Sequence, residues 1–207
     1  MGAVPPYTRG QMRLTPNRRA KKFALNGLAL PLLAAATWIV VPTVAVTQPK
    51  PGGPTAQATL LGQYGDWGAY TASPNGQKVC FALSKPTASS DIPANRRNAS
   101  NVVYLFVSTR PSEKVSNEIS ILVTGYAFKP NSEAGVAIGG ANFAMYTQND
   151  GAWVKNAAEE TKMLDAMRNT GDMVIKATTS RGTQTSDTFS LKGLSQAVDR
   201  ASQECSG

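Results

Sequence analysis

Histidine does not occur among the 207 residues. Its absence removes the Ser-His and Cys-His nucleophile pairs, the histidine general base and every zinc site built on imidazole. Ser-x-x-Lys, the other common way of activating a serine, is also missing. There are 2 cysteines, Cys80 and Cys205, and no Cys-x-x-Cys, which excludes a dithiol redox motif. Finally, the first 47 residues lack any acidic side chain, although they hold Arg9, Arg13, Arg18, Arg19, Lys21 and Lys22.

That one-sided charge is followed by an apolar run from Phe23 to about Val46. Basic residues held inside and an apolar stretch behind them form the pattern of a bacterial export signal. Residues 1–47 therefore read as a signal peptide or signal anchor. Thr43 and Ala45 supply small residues for cleavage near Ala45. The run exceeds the usual signal core and approaches the ~20 residues that span a bilayer, so an uncleaved anchor in the inner membrane is the alternative. Either way the rest of the chain is expected in the periplasm, at the outer membrane or on the cell surface.

The formal charge of +8 shrinks once the leader is set aside, because 15 of the 21 basic residues remain against 13 acids. A balance near +2 is too small for a phosphate-tracking face, and no nucleic-acid partner is expected.

Residues 48–58, rich in Pro and Gly, read as a flexible tether. Residues 59–207 are one domain's worth of chain. YGDWGAYTA and QKVCFALS flank Pro74-Asn75-Gly76, a strong hairpin signal. Val102–Val107 is a continuous apolar run, read as a strand covered on both faces. EISILVTGY, residues 118–126, puts Ile119, Ile121 and Val123 on one side and Leu122 and Tyr126 on the other, as a second central strand. Asn149-Asp150-Gly151 and Arg181-Gly182 mark further tight turns. After the last of these, Thr183, Thr185, Asp187, Phe189 and Leu191 share one face. Gly135–Gly140 lacks the Lys and the strand–helix context of a phosphate loop and reads as a Gly-rich strand edge or bulge. Two helices interrupt the strands: one from about Ala157 to Met167, capped by Asn156, and a terminal one with Leu194, Ala197, Val198 and Ala201 on a single stripe. The expected fold is mainly β, an antiparallel β-sandwich with two short helices behind the leader.

Cys205 returns to the stripe of the terminal helix at 3.6 residues per turn, facing the core where the second strand carries Cys80. In an oxidising compartment the two are expected to form one disulfide, two buried free thiols being the alternative.

Chemically capable residues are few. Asp66, Glu118 and Asp187 lie in strand-like segments and are the weak surface or ligand candidates, the only carboxylates that a glycosidase-type acid pair would draw on. Their structural reading is Asp66 bonding turn amides at a strand start, with Glu118 and Asp187 paired to Arg110 or Arg181 on a solvated sheet face. Asn149-Asp150 lacks the spaced oxygens of a calcium loop. Gly193-Leu194-Ser195-Gln196-Ala197 has the outline of a nucleophile elbow but no base, so Ser195 reads as a helix cap. Trp67 reads as a core side chain rather than a ligand platform with Tyr64 and Tyr70. No catalytic residue, metal site or cofactor is expected.

Several segments, in order, resemble the invasion-associated locus B family of alphaproteobacterial envelope proteins. They are GQYGDWGAYTA with KVCFALSKP, STRPSEKVSNEISILVTGYAFKP, DGAWVKNAAEE, LDAMRNTGDMVIKATTSRGTQTSDTFSLKGLSQAVDR and the closing EC. The resemblance implies a secreted or outer-membrane-associated protein, of a kind linked in pathogens to invasion of host cells. It implies no enzymatic activity and no set of functional residues. The expected function is a non-enzymatic envelope protein that binds an unidentified envelope or host-surface macromolecule. A periplasmic glycan hydrolase using paired carboxylates and a small-ligand carrier are the alternatives.

Overall fold

Alternation sets the strands. In the computed structural model, which describes residues 57–206, inward-facing buried positions alternate with more exposed ones along most strands. The leader, its cleavage site near Ala45 and residues 48–56 of the tether lie outside the described residues.

In chain order the elements are β1 (Thr59–Tyr64), β2 (Trp67–Ala72), β3 (Val79–Ser84), β4 (Ala88–Ile92), β5 (Val103–Arg110), β6 (Val115–Val123), β7 (Glu133–Ile138), β8 (Ala141–Gln148), β9 (Gly151–Val154), helix α1 (Ala157–Arg168), β10 (Asp172–Thr178), β11 (Gln184–Ser190) and helix α2 (Leu194–Ser206). The 11 strands form one sheet in the order β1-β2-β3-β5-β6-β9-β8-β7-β10-β11-β4. All neighbours are antiparallel. The fold is thus mainly β with two short helices, as the turn spacing implies.

The two layers of the expected sandwich belong to a single sheet that folds over on itself. β3 and β4 stand far apart in the strand order, yet only Lys85–Thr87 separate them in the chain. Near this fold, Asp66 N donates to Lys192 O at 3.1 Å and Thr87 N to Thr188 O at 2.8 Å. Trp67 Nε1 donates to Ser190 O at 2.9 Å, so the core tryptophan, fully buried, also ties β2 to β11. The approach is close enough to demand glycine twice. A Cβ on Gly65 (φ +56) would stand 2.6 Å from Lys192 O, and one on Gly193 (φ +93) would stand 1.7 Å from Tyr64 O.

One core results. Leu105, Ile119, Ile121, Ile138, Met145, Met173 and Phe189 from the sheet meet Met163 and Met167 of α1 and Leu194 and Val198 of α2. Each such side chain contributes on the order of 1.5–3 kcal/mol by leaving water. The Asn156 side chain accepts from Glu159 N at 3.0 Å and caps α1 as its sequence implies. On α2, Cys205 is bonded to Cys80, with the two Cα atoms 5.9 Å apart across a sequence separation of 125. None of the described helices is long and apolar enough to cross a membrane.

Four expectations need correction. Tyr64–Ala72 is not one strand: Gly65-Asp66 turns between β1 and β2, because Gly65 adopts the left-handed conformation. Val102–Val107 is buried only on its inner face, through Val103, Leu105 and Val107. On the outer face Tyr104 and Phe106 are sheltered by other aromatics: Phe106 lies 5.6 Å from Phe81, which stacks on Tyr70 at 5.4 Å, and Lys85 sits over the Tyr104 ring at 5.3 Å. The glycine-rich stretch is no edge: β7 pairs on both sides, and Gly139-Gly140 form its turn to β8. Ser195 lies inside α2, one residue past its start, so it is not a cap.

Candidate binding site

Asp187 is where the alternation of β11 collides with chemistry. Its neighbours on the inner face, Thr185 and Phe189, are buried, and the carboxylate is buried with them at 3% exposure. A charge at that depth needs partners, and β4 brings them. Ser89, opposite Asp187 in the register, donates from Oγ to Asp187 Oδ1 at 2.6 Å. Asp91 lies two positions further along β4, opposite Thr185.

Arg97 bridges the two acids. Its Nη1 donates to Asp187 Oδ1 and Oδ2 at 2.8 and 2.9 Å, and its Nε donates to Asp91 Oδ1 at 2.6 Å. Its backbone N donates to Asp91 Oδ2 at 2.8 Å, and Nη2 reaches Ser90 O at 3.1 Å. The guanidinium and both carboxylate side chains are each less than one-tenth exposed. Burial acts against the charge on Arg97, but the charge of Asp187 and the hydrogen bonds Arg97 donates to both acids outweigh it, and the guanidinium pKa stands above its ordinary value.

The loop after β4 that delivers Arg97 is stitched to the end of β6. Asn98 Oδ1 accepts from Ser100 N at 2.9 Å, Asn98 N donates to Asn101 Oδ1 at 2.9 Å, and Thr124 Oγ1 donates to Ser100 O at 2.7 Å. Between this loop and the β10–β11 turn lies a cavity of about 380 Å³, walled by Arg96, Asn98 and Asn101 on one side and Ser180 and Arg181 on the other. Tyr126 also lines it. Its ring packs edge-on against Phe128 at 6.1 Å, and its hydroxyl is buried without any hydrogen-bond partner. Burial raises this phenol to about 12 against the opposing pull of the Arg97 charge, with Asp187 and Asp91 adding to the rise. Arg96 and Arg181 are exposed and form no ion pair among the described residues.

The three carboxylates singled out in the sequence do not converge. Asp187 is buried with Arg97, not paired with Arg181 on a solvated face: its in-facing register forbids the latter. Glu118 does pair with Arg110, through Nη1–Oε1 at 3.0 Å and Nη2–Oε2 at 2.9 Å, and Arg110 also holds Glu113 at 2.7 Å. Close by, Glu160 of α1 accepts from Ile119 N at 3.1 Å. Asp66 is exposed in the β1–β2 turn and does not bond turn amides as expected: its backbone makes the contacts, N donating to Lys192 O at 3.1 Å and the carbonyl accepting from Ser84 Oγ at 2.8 Å. Asp91, Arg97 and Tyr126 were not marked by the sequence. One signal was present: an Asp in step with Phe189 and Leu191 on a core face requires a buried cation. Among the described residues no group of three or more His, Cys, Asp or Glu side chains is placed to hold a metal ion.

Fold and site together define a disulfide-stapled, mainly β domain whose polar centre is a fixed Asp-Arg-Asp cluster beside an arginine-flanked cavity. A sequence model of the invasion associated locus B (IalB) protein family matches residues 67–202, from the first residue of β2 into α2, and the chain belongs to that family. No curated protein and no solved structure matches it.

Proposed function

We propose that this chain is an exported envelope protein that acts by binding a macromolecule of the envelope or of a host surface, and catalyses no reaction. The leader carries it across the inner membrane, and the domain works in the periplasm or at the outer surface, tethered to the inner membrane where the leader is retained. Family membership and the Cys80–Cys205 bond support this placement.

One observation carries binding over catalysis. The buried acids Asp187 and Asp91 accept from the same guanidinium, and Asp187 spends its remaining capacity on Ser89. A glycosidase needs one free protonated acid and a second carboxylate about 5–10 Å away across a cleft. Here both acids are engaged in holding Arg97, and what lines the cavity is arginine, asparagine and hydroxyl side chains. A carrier of apolar ligands would need an apolar chamber between the layers, whereas this cavity is lined by arginine, asparagine and hydroxyl groups.

The test is made in the producing bacterium. A C-terminally tagged full-length chain carrying a photo-crosslinker at Asn98 or Ser180 should fractionate with the envelope and give a discrete adduct on irradiation. Recovery of the tagged chain in the cytosol would overturn the location. Irradiation that yields no adduct at either position would overturn the assignment of this site to binding.

A further inference from the structure

We propose that the cavity between the Arg96–Asn101 loop and the β10–β11 turn binds a monoanionic sugar residue, a uronic acid within an acidic glycan. The proposal rests on the binding role assigned above and names its ligand class.

Two features of the cavity point the same way. The first is charge. Arg96 and Arg181 both line the cavity and form no ion pair among the described residues, while Arg97 is already bound to Asp91 and Asp187. Three guanidinium groups against two carboxylates leave a single positive charge. That balance suits one carboxylate; a phosphomonoester, with nearly two charges at neutral pH, would be under-compensated. It also excludes a polyphosphate chain, whose binding scales with the number of cations supplied.

The second is shape and polarity. At about 380 Å³ the space lies near the lower end of ligand pockets and is too roomy for a bare oxyanion. Its walls offer Asn98, Asn101 and Ser180, groups that both donate and accept, as a ring bearing several hydroxyls requires.

The fork geometry of Arg181 or Arg96 would take the carboxylate, and the Asn98, Asn101 and Ser180 side chains would take the ring hydroxyls.

The experiment is titration of the oxidised protein purified from the envelope, followed by calorimetry or by NMR shifts. The probes are glucuronic acid, a glucuronic-acid-containing oligosaccharide, neutral glucose, glucose 6-phosphate and inorganic phosphate. Glucuronic acid is expected to bind in the millimolar range and the oligosaccharide at least tenfold more tightly. Glucose should bind at least tenfold more weakly than glucuronic acid, and Arg181→Gln and Arg96→Gln should each weaken the acidic probes at least fivefold. Circular dichroism and melting of the arginine variants should match the parent, since both residues are exposed. Equal affinity for glucose and glucuronic acid, phosphate or glucose 6-phosphate binding as tightly as the uronate, or arginine variants that bind like the parent would each overturn the proposal. If crosslinking at Asn98 gives an adduct that survives both arginine substitutions, the binding role stands and this ligand class falls. Absence of any adduct at Asn98 and at Ser180 would remove the binding role itself.

Discussion

Replacing Tyr126 by Phe removes a single oxygen, and the structure assigns that oxygen a cost in stability. The hydroxyl is out of contact with water and has no partner. A buried unsatisfied group of this kind costs about 1–3 kcal/mol. Since Tyr126 as a whole is only half-buried, the lower end applies, and Tyr126→Phe should stabilise the domain by about 1 kcal/mol. For a domain of this size that raises Tm by about 2–4 °C at pH 7. Alkaline pH supplies a second reading. The phenol ionises near 10 in an unfolded chain and near 12 in the native one. Below pH 10 both states keep the proton and stability does not depend on it. Between pH 10 and 12 the unfolded chain loses the proton first, so the native state loses stability as pH rises, by up to about 2 kcal/mol after allowance for solvent screening. Urea denaturation of the parent and the variant at matched pH values isolates this contribution from the lysines and the other tyrosines. The variant should be the more stable at pH 7, with the gap widening above pH 10. A variant less stable than the parent would mean that the hydroxyl has a partner. Parallel pH profiles would mean that the phenol is not held protonated by burial. Either result would refute the reasoning.

Three further outcomes follow from the same geometry. Reducing the disulfide, or making Cys80→Ala, reopens a loop with a sequence separation of 125 and should cost about 2–4 kcal/mol, seen as a drop of roughly 5–15 °C in Tm; an unchanged melt would show that α2 is held without it. Arg97→Gln leaves Asp91 and Asp187 buried without their cation and should cost about 3–5 kcal/mol in urea denaturation, with part recovered in the Arg97→Gln, Asp187→Asn double variant; a loss below about 1 kcal/mol would contradict the described burial. Gly193→Ala drives a methyl into the Tyr64 carbonyl, whereas Gly76→Ala meets open space at a similar φ. The first should lose several kcal/mol and the second about 1–2 kcal/mol in the same assay, and equal losses would argue against a backbone approach at Gly193.

Periodicity made much of the fold readable. The α2 stripe and the alternation of β6 and β11 follow from side-chain spacing, and the Asn-Gly and Arg-Gly turns follow from the φ values those pairs tolerate. β4 escaped because ASSDI has no alternation of polar and apolar residues: it is held by pairing with β11 and by Asp91, not by a buried face. β1 escaped because Gly65 turns the chain within what reads as a single strand. The site was half legible. The sequence placed Asp187 on the inner face, yet its cation arrives from a residue 90 positions away, and pairing over such a distance leaves no local trace. Tyr126 read as the outer-face end of the EISILVTGY strand, but β6 stops at Val123, and the burial that isolates its hydroxyl comes from elements remote in the chain.

Anchoring of the β4–β5 loop at Arg97 bears on how relatives diversify. The pin is one residue, clamped from inside the sheet, while its neighbours Arg96 and Asn98 point their chemistry at the cavity. Drift at those flanking positions would alter the cavity's chemistry without loosening the frame. The architecture thus separates the residues that hold the loop from those that line its mouth, and the second set can change by a few codons while the first stays fixed.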